Sequence, residues 1–439
     1  MVFAFIIAGL LVARWAAQLV LEILNRRNVM AHAGPVPDAF KEVVDQATYD
    51  KSVAYSLAKG NLSKIEDAWD SVVLLAILFS GVLPWAFSKF WVHLGPSAWA
   101  MASYLFTIGL ALSITGLPLE WYGQFRLEQR FGFNTSTQQT WWLDRLKGFL
   151  LALILGYPLL ILVLKLVEWT GRWWWFWVWA TILVFQLMMA VLAPALIMPL
   201  FNKFTPLPEG SLRERLLKLA ERTRFRARSI QIMDGSKRSR HSNAFFTGFG
   251  RLRKIVLFDT LVQQLTEPEL ESVLAHEIGH FRKKHIPKML AASALGSLLG
   301  FYIISFLAGQ QWFYEAFGFI TSKSSGWMPE LPDKSIAPAL LLFALLSGVV
   351  LFWLSPLMHW WSRRYEYQAD AFAAAVMNEA ASLRSALRKL NEKNLSNLTP
   401  HPLYSGFYYS HPTLLERERA LAGPRAVGQT FLSAGQRGF

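Results

Sequence analysis

A mainly α fold is predicted: a seven-span α-helical membrane bundle joined to cytoplasmic segments that carry a small β element. Three observations predict it. Of the 439 residues, 53% are hydrophobic and only 17% are charged, below the usual quarter for soluble domains. Seven apolar stretches approach the ~20 residues that a helix needs to cross a bilayer core. The basic residues gather between alternate stretches rather than over one soluble face, as expected of cationic cytoplasmic loops. The net charge of +14 therefore reads as loop charge, and no nucleic-acid partner is expected; the partner implied is a lipid bilayer. The chain has no cysteine, which excludes a disulfide scaffold, a thiol nucleophile and a thiolate metal site. Any metal must be held by His, Asp and Glu.

The spans are expected at Val2–Leu24, Val72–Phe90, Ala98–Leu119, Leu146–Val167, Trp173–Leu200, Met289–Gly309 and Ile336–Trp360. The first carries Arg14 and Glu22. A cleaved signal peptide is the weaker reading of it, because no positive segment precedes the apolar run and Arg14 interrupts it. The fifth opens on Trp173, Trp174, Trp175, Phe176 and Trp177, which suits a belt at headgroup level. Arg126, Arg130, Arg145 and Lys147 follow the third span, whereas 91–97 has no Lys or Arg and the fourth connection has Arg172 alone. The sixth connection holds Lys323 and Lys334. This asymmetry orients the N-terminus outside and the C-terminus in the cytoplasm. The triplets at Asn61, Asn134, Asn394 and Asn397 then face the cytoplasm and are read as unglycosylated.

Four regions follow: 1–200 with five spans, 201–287 as a cytoplasmic region, 288–361 with spans six and seven, and 362–439 as a second cytoplasmic region. Region 201–287 opens with a polar helical pattern over Gly210–Arg224. Strands are expected at the β-branched Ser229–Met233 and at Lys254–Phe258, separated by a turn rich in Gly and Ser. Region 362–439 reads as helical to about Leu421, followed by a Gly-rich tail expected to be disordered.

The residues richest in chemistry are His276-Glu277-Ile278-Gly279-His280, an H-E-x-x-H pattern. Thr266 can cap a helix here, Glu269 completes a capping box and Pro268 suits the first turn. On that helix His276 and His280 lie one turn apart on one face, where two imidazoles can share a Zn2+ with Glu277 beside it. The bland alternative is a pair of surface histidines. A distant carboxylate tips the balance. Glu366 and Asp370 lie one helical turn apart where the seventh span ends, so Glu366 is expected as third ligand and Asp370 as its supporting residue, orienting a ligand or pairing with a base. Two spans separate Glu277 from Glu366, and an even number returns the chain to the same face. Three protein ligands leave a fourth zinc position for water, the arrangement of a catalytic site. Glu277 would take a proton from that water and deliver it to the leaving amine. A multi-span carrier with an incidental His pair is the competing class, and it would show more charge deep inside its spans.

With these residues in view, the chain resembles the CAAX prenyl protease type I family of integral-membrane zinc metalloproteases. The resemblance covers essentially the whole chain. It is carried by Val273–Phe281 (VLAHEIGHF), Glu366–Ala373 (EYQADAFA), Gly235–Ala244 (GSKRSRHSNA), Lys254–Leu261 (KIVLFDTL), Glu128–Asn134 (EQRFGFN) and Ser410–Arg417 (SHPTLLER). It implies a seven-span bundle with a cytoplasmic zinc metalloprotease domain, and one Zn2+ on His276, His280 and Glu366 with Glu277 as base. It further implies that Asn243 and His411 face the substrate or its oxyanion, and that Asp370 pairs with Arg417 behind the metal. His285 also recurs in such proteins and is read as structural. Lys254–Phe258 is expected as the sheet edge that an extended substrate joins. The resemblance also implies a large chamber between the spans and a hydrophobic or prenylated peptide substrate, and no particular oligomeric state. The short link from Leu261 to the H-E-x-x-H helix and the C-terminal Gln436-Arg437-Gly438-Phe439, which lacks a dibasic retrieval signal, point to a prokaryotic member in a bacterial inner membrane rather than the endoplasmic reticulum. Damaged or stalled membrane polypeptides then compete with prenylated C-termini as substrates.

Overall fold

The computed structural model describes residues 2–42, 44–225, 229–247, 254–319 and 335–423. The expected tail beyond Leu421, apart from Ala422 and Gly423, lies outside the described residues, as do Lys323, Lys334 and the C-terminal tetrapeptide.

The first helix, α1 (Val2–Ala31), buries Ile7, Leu11, Gln18, Leu21, Glu22, Asn25 and Val29, a stripe at helical spacing that begins apolar and ends polar. It packs on α2 (Gln46–Phe79), whose first turn is capped by Asp45, its carboxylate accepting from Thr48 N–H at 2.7 Å. The polar part of the stripe meets a gap cut for it. A Cβ on Gly60 would fall 1.8 Å from Glu22 Oε1, so only glycine lets α2 accept that carboxylate.

The expected second span, Val72–Phe90, is not one straight helix. The chain breaks at Ser80-Gly81, where Gly81 takes φ +79°, and α3 (Val82–Leu94) leaves bent by 54° from α2. Apolar residues on both sides hide this break from hydropathy, and only the Ser-Gly pair records it. Next come α4 (Ala98–Tyr122), the short α5 (Gln129–Phe131), α6 (Gln138–Leu151), α7 (Tyr157–Thr170), α8 (Trp174–Leu192) and α9 (Met198–Phe201). Tyr157 of α7 reaches Ser103 of α4 at 2.9 Å, and Trp179 of α8 donates to Ala294 O at 3.0 Å. Among the described residues, five helices are long and apolar enough to cross a membrane, or six if α2 and α3 form one bent span.

The sheet-bearing part opens with β1 (Phe204–Pro206), followed by α10 (Ser211–Arg222), β2 (Ser229–Met233), β3 (Ala244–Thr247), β4 (Lys254–Phe258) and α11 (Asp259–Gln264). The strands form one sheet in the order β1-β2-β4-β3, with β2 and β4 parallel and the outer pairs antiparallel. The strands expected at Ser229–Met233 and Lys254–Phe258 are present with those bounds. The edge assignment is wrong: Lys254–Phe258 lies between β2 and β3, and the edge beside it is Ala244–Thr247. The reason is visible in its side chains. Ile255, Val256 and Leu257 are all buried, which is the continuous apolar run of a strand covered on both faces and not the alternation of an edge.

The chain continues through α12 (Glu267–Arg282), α13 (His285–Leu307), α14 (Gln311–Glu315), α15 (Ala337–Met377), α16 (Ala381–Lys393), α17 (Pro402–Tyr408) and α18 (Leu414–Ala422). The boundary expected at residue 361 falls inside α15, a single 41-residue helix. One core joins the apolar helices through residues such as Tyr104, Phe313 and Leu342. A second joins the sheet to α10, α12, α15, α16 and α18 through Leu216, Ile255, Leu274, Ile278, Ala373, Leu387 and Leu421.

The contact between α12 and α15 positions the site. Ala275, Ala369 and Ala373 are fully buried, and a Cβ on Gly279 would sit 3.0 Å from Ala369 Cα and 3.1 Å from its carbonyl oxygen. These small residues bring the two backbones into direct contact. Gly279→Val should push the helices apart at a cost of about 1–3 kcal/mol. The expected result is a lower melting temperature in detergent together with lost metal content, both measured against wild type.

Candidate metal centre

The site starts from a well-formed helix. Thr266 and Glu269 make the reciprocal capping box of α12, with Thr266 N–H donating to Glu269 Oε2 at 2.8 Å. Glu269 is itself tied to α16 by Lys389 at 2.8 Å and Ser385 at 2.6 Å, so the helix is anchored at its N-terminal end. One turn apart on that helix, His276 and His280 face each other with their Nε2 atoms 3.2 Å apart. Glu366 on α15 completes the group. Its Oε2 lies 3.4 Å from His276 Nε2 and its Oε1 lies 3.2 Å from His280 Nε2. The three ligand atoms fall within 4.8 Å of one another.

The donor set fits a metal ion. Two imidazole nitrogens turned on each other and on one carboxylate gain little from a mutual hydrogen bond, since at most one proton can lie between them. Glu366 is only 4% exposed, and its buried Oε2 has no hydrogen-bond partner. An orphaned carboxylate oxygen is costly in such a place, and a shared cation removes the cost. Nitrogen and oxygen donors of this kind suit zinc and its first-row neighbours.

Behind the ligands, His276 Nδ1 lies 2.7 Å from Asp370 Oδ1. Asp370 in turn receives Arg417 from α18, with Nε at 2.8 Å from Oδ2 and Nη2 at 2.5 Å from Oδ1. If His276 Nδ1 carries the proton given to Asp370, its Nε2 lone pair is left for the site. Arg417 also reaches within 3.8 Å of Glu366. The far side of His280 is occupied as well, by His285 at 3.2 Å. The sequence reading gave His285 a structural place and gave its next partner, Gln368, none.

A cleft of about 170 Å3 opens onto the centre, lined among others by Asn243, His276, Glu277, Glu366, His411 and Arg417. The structure thus brings together all of the expected site residues: six line the cleft, His280 faces His276 and Glu366 across the donor triangle, and Asp370 bonds to His276 and Arg417 behind it. Burial raises the Glu277 carboxyl above its ordinary range, opposed by the neighbouring His276 and His280. His411 sits on the loop before α18, its Nε2 3.5 Å from Glu366 Oε1 and its Nδ1 3.0 Å from Ser410 Oγ. Asn243 precedes β3, and its Oδ1 accepts from Ala244 N–H at 2.8 Å. The arrangement places the Glu277 carboxyl, a donor set able to hold a metal and the start of β3 around one cleft, an arrangement able to support hydrolysis of a peptide bond.

Comparisons with known proteins agree with that chemistry. Residues 25–203 match the family model of the CAAX prenyl protease N-terminal domain with five membrane helices, and residues 206–425 match that of peptidase family M48. The chain is 37% identical to CAAX prenyl protease 1 of Saccharomyces cerevisiae, with 88% of each chain covered. It is 36% identical to the CAAX prenyl protease 1 homolog of Arabidopsis thaliana, with 88% of this chain and 90% of the relative covered. The crystal structure of S. mikatae Ste24p superposes with a TM-score of 0.88 at 33% identity, over 96% of this chain and 99% of that one. With a donor cluster suited to a metal, helices able to cross a membrane and relatives of this extent, the chain belongs to peptidase family M48 and is a membrane metalloendopeptidase.

Proposed function

We propose that this protein is a zinc endopeptidase that cleaves near the C-terminus of prenylated CAAX proteins, or of related hydrophobic polypeptides, at the cytoplasmic face of a membrane. The observation that carries the zinc assignment is the convergence of His276 Nε2, His280 Nε2 and the unpartnered Glu366 Oε2 on one point. The relatives' printed names, CAAX prenyl protease 1 and its homologs, carry the substrate class.

The residues divide the work. His276, His280 and Glu366 would hold the zinc, which supplies Lewis-acid chemistry and lowers the pKa of water to about 7. Glu277, whose proton affinity burial raises, accepts the proton of the attacking water and passes it to the leaving amine. Asp370 and Arg417 hold the His276 ring. His411, and Asn243 at the mouth of the cleft, are positioned to donate to the oxygen on which charge develops. The substrate backbone would lie along β3, the edge strand, and extend the sheet by one strand.

The membrane arrangement that suits this chemistry has seven crossings. The apolar run Gln138–Phe201 is 64 residues long, well beyond the ~20 residues of a single crossing. Its two halves pack on different partners, α7 on α4 and α8 on α13, with a turn at Gly171. We therefore count it as two spans and the bent α2–α3 pair as one. With this count we read 1–200 and 288–361 as the membrane regions and 201–287 and 362–439 as the cytoplasmic ones, α15 running through the boundary at 361. The excess of Lys and Arg on that side supports a cytoplasmic C-terminus, and a bacterial inner membrane remains our preferred location.

Glu277→Ala should retain zinc and lose cleavage by about 10²–10⁴-fold, whereas His280→Ala should lose both; metal analysis and a peptide-cleavage assay on the two variants check this. Removing the metal with a chelator should abolish cleavage, and added Zn2+ should restore it. A farnesylated CAAX peptide should be cut faster than the same peptide without the lipid. Equal rates would move the substrate assignment to non-prenylated membrane polypeptides.

A further inference from the structure

On an unbroken helix a residue five positions on is turned by about 140° from the first, so His285 could not reach His280. Here the chain ends α12 at Arg282, and Lys284 takes the left-handed conformation with φ 57° and ψ 38°. For a residue with a side chain this conformation costs about 1–2 kcal/mol. The result is that His285, the first residue of α13, folds back against α12. It is 1% exposed, and its ring stacks on Tyr365 at 4.0 Å with the planes 9° apart. Its Nδ1 is 3.2 Å from His280 Nδ1, and its Nε2 is 3.0 Å from Gln368 Oε1.

A three-membered chain of this kind can run in only two directions. If the Gln368 amide presented its NH2 to His285, the protons would shift so that His280 carried its hydrogen on Nε2, and no lone pair would face Glu366. If Gln368 presents its oxygen, His285 Nε2–H donates to it, His285 Nδ1 accepts from His280 Nδ1–H, and His280 Nε2 is left bare toward the site. Only the second direction is compatible with a bound metal.

We propose that His285 and Gln368 are positioning residues for the metal: a hydrogen-bond relay that fixes the tautomer and orientation of the His280 ring, as Asp370 and Arg417 do for His276. This rests on the zinc reading above. It assigns α15 three tasks within five residues, since Glu366 ligates, Gln368 orients one histidine through His285 and Asp370 orients the other.

The test is zinc affinity, measured on metal-free full-length protein in detergent by competition with a chromophoric chelator. Gln368→Met fills the same space without an acceptor and should weaken zinc about 10–100-fold, the usual effect of losing an outer-shell partner. Gln368→Glu keeps an acceptor oxygen and should hold zinc at the wild-type level or tighter. His285→Phe preserves the ring stack on Tyr365 and should fall with Gln368→Met. The visible spectrum of the Co2+-loaded protein should be alike for wild type and Gln368→Glu and altered for Gln368→Met. A purely structural role predicts instead that the apolar Met is harmless, so wild-type zinc affinity in Gln368→Met overturns the relay, even where His285→Phe fails to fold. A wild-type protein that bound no zinc would overturn the metal reading itself, an outcome distinguishable from loss of the relay alone.

Discussion

The close approach of α12 to α15 is the constraint on which the rest depends. It is made by residues too small to keep the helices apart: Gly279 against the backbone of Ala369, with Ala275 and Ala373 alongside. Because Gly279 lies within the H-E-x-x-H turn, the close approach of the two helices and the His pair share one turn of α12. Glu366 and Asp370, one turn apart on α15, are thereby held against His276 and His280, one turn apart on α12. The i, i+4 spacing on each helix does the matching, and the sheet and α16 to α18 close around it.

That packing creates an electrostatic demand. Glu366 and Asp370 are almost fully buried and Glu277 stands beside them, while Arg417 bonds to Asp370 and comes within 3.8 Å of Glu366. Buried charges without full compensation are costly. A divalent cation between the imidazoles and Glu366 would supply the missing positive charge and give the orphaned Oε2 a partner. The same ion would select the proton positions in the networks on either side, with Asp370 accepting from His276 and the His285–Gln368 pair accepting from His280.

Much of this was legible in the sequence because the signals are local. The capping box at Thr266 and Glu269, the His pair at one-turn spacing and the Glu366/Asp370 pair each need only helix geometry to interpret. The strands at Ser229–Met233 and Lys254–Phe258 were legible from their β-branched runs. The order of strands was not, because register between distant segments is set by tertiary packing; the buried faces of Ile255 to Leu257 make that strand central, and the four residues after Asn243 supply the edge instead. The kink at Gly81 was masked by apolar residues on both sides. The place of His285 escaped because a left-handed Lys284 redirects the chain, and nothing in the identity of a lysine announces that conformation.

The most direct measurement is X-ray absorption at the zinc edge, with anomalous scattering from crystals of the purified protein. The account predicts one ion per chain at about 2.0–2.2 Å from His276 Nε2, His280 Nε2 and a Glu366 oxygen. An ion bound elsewhere, or one held by the histidines with Glu366 out of reach, would contradict it.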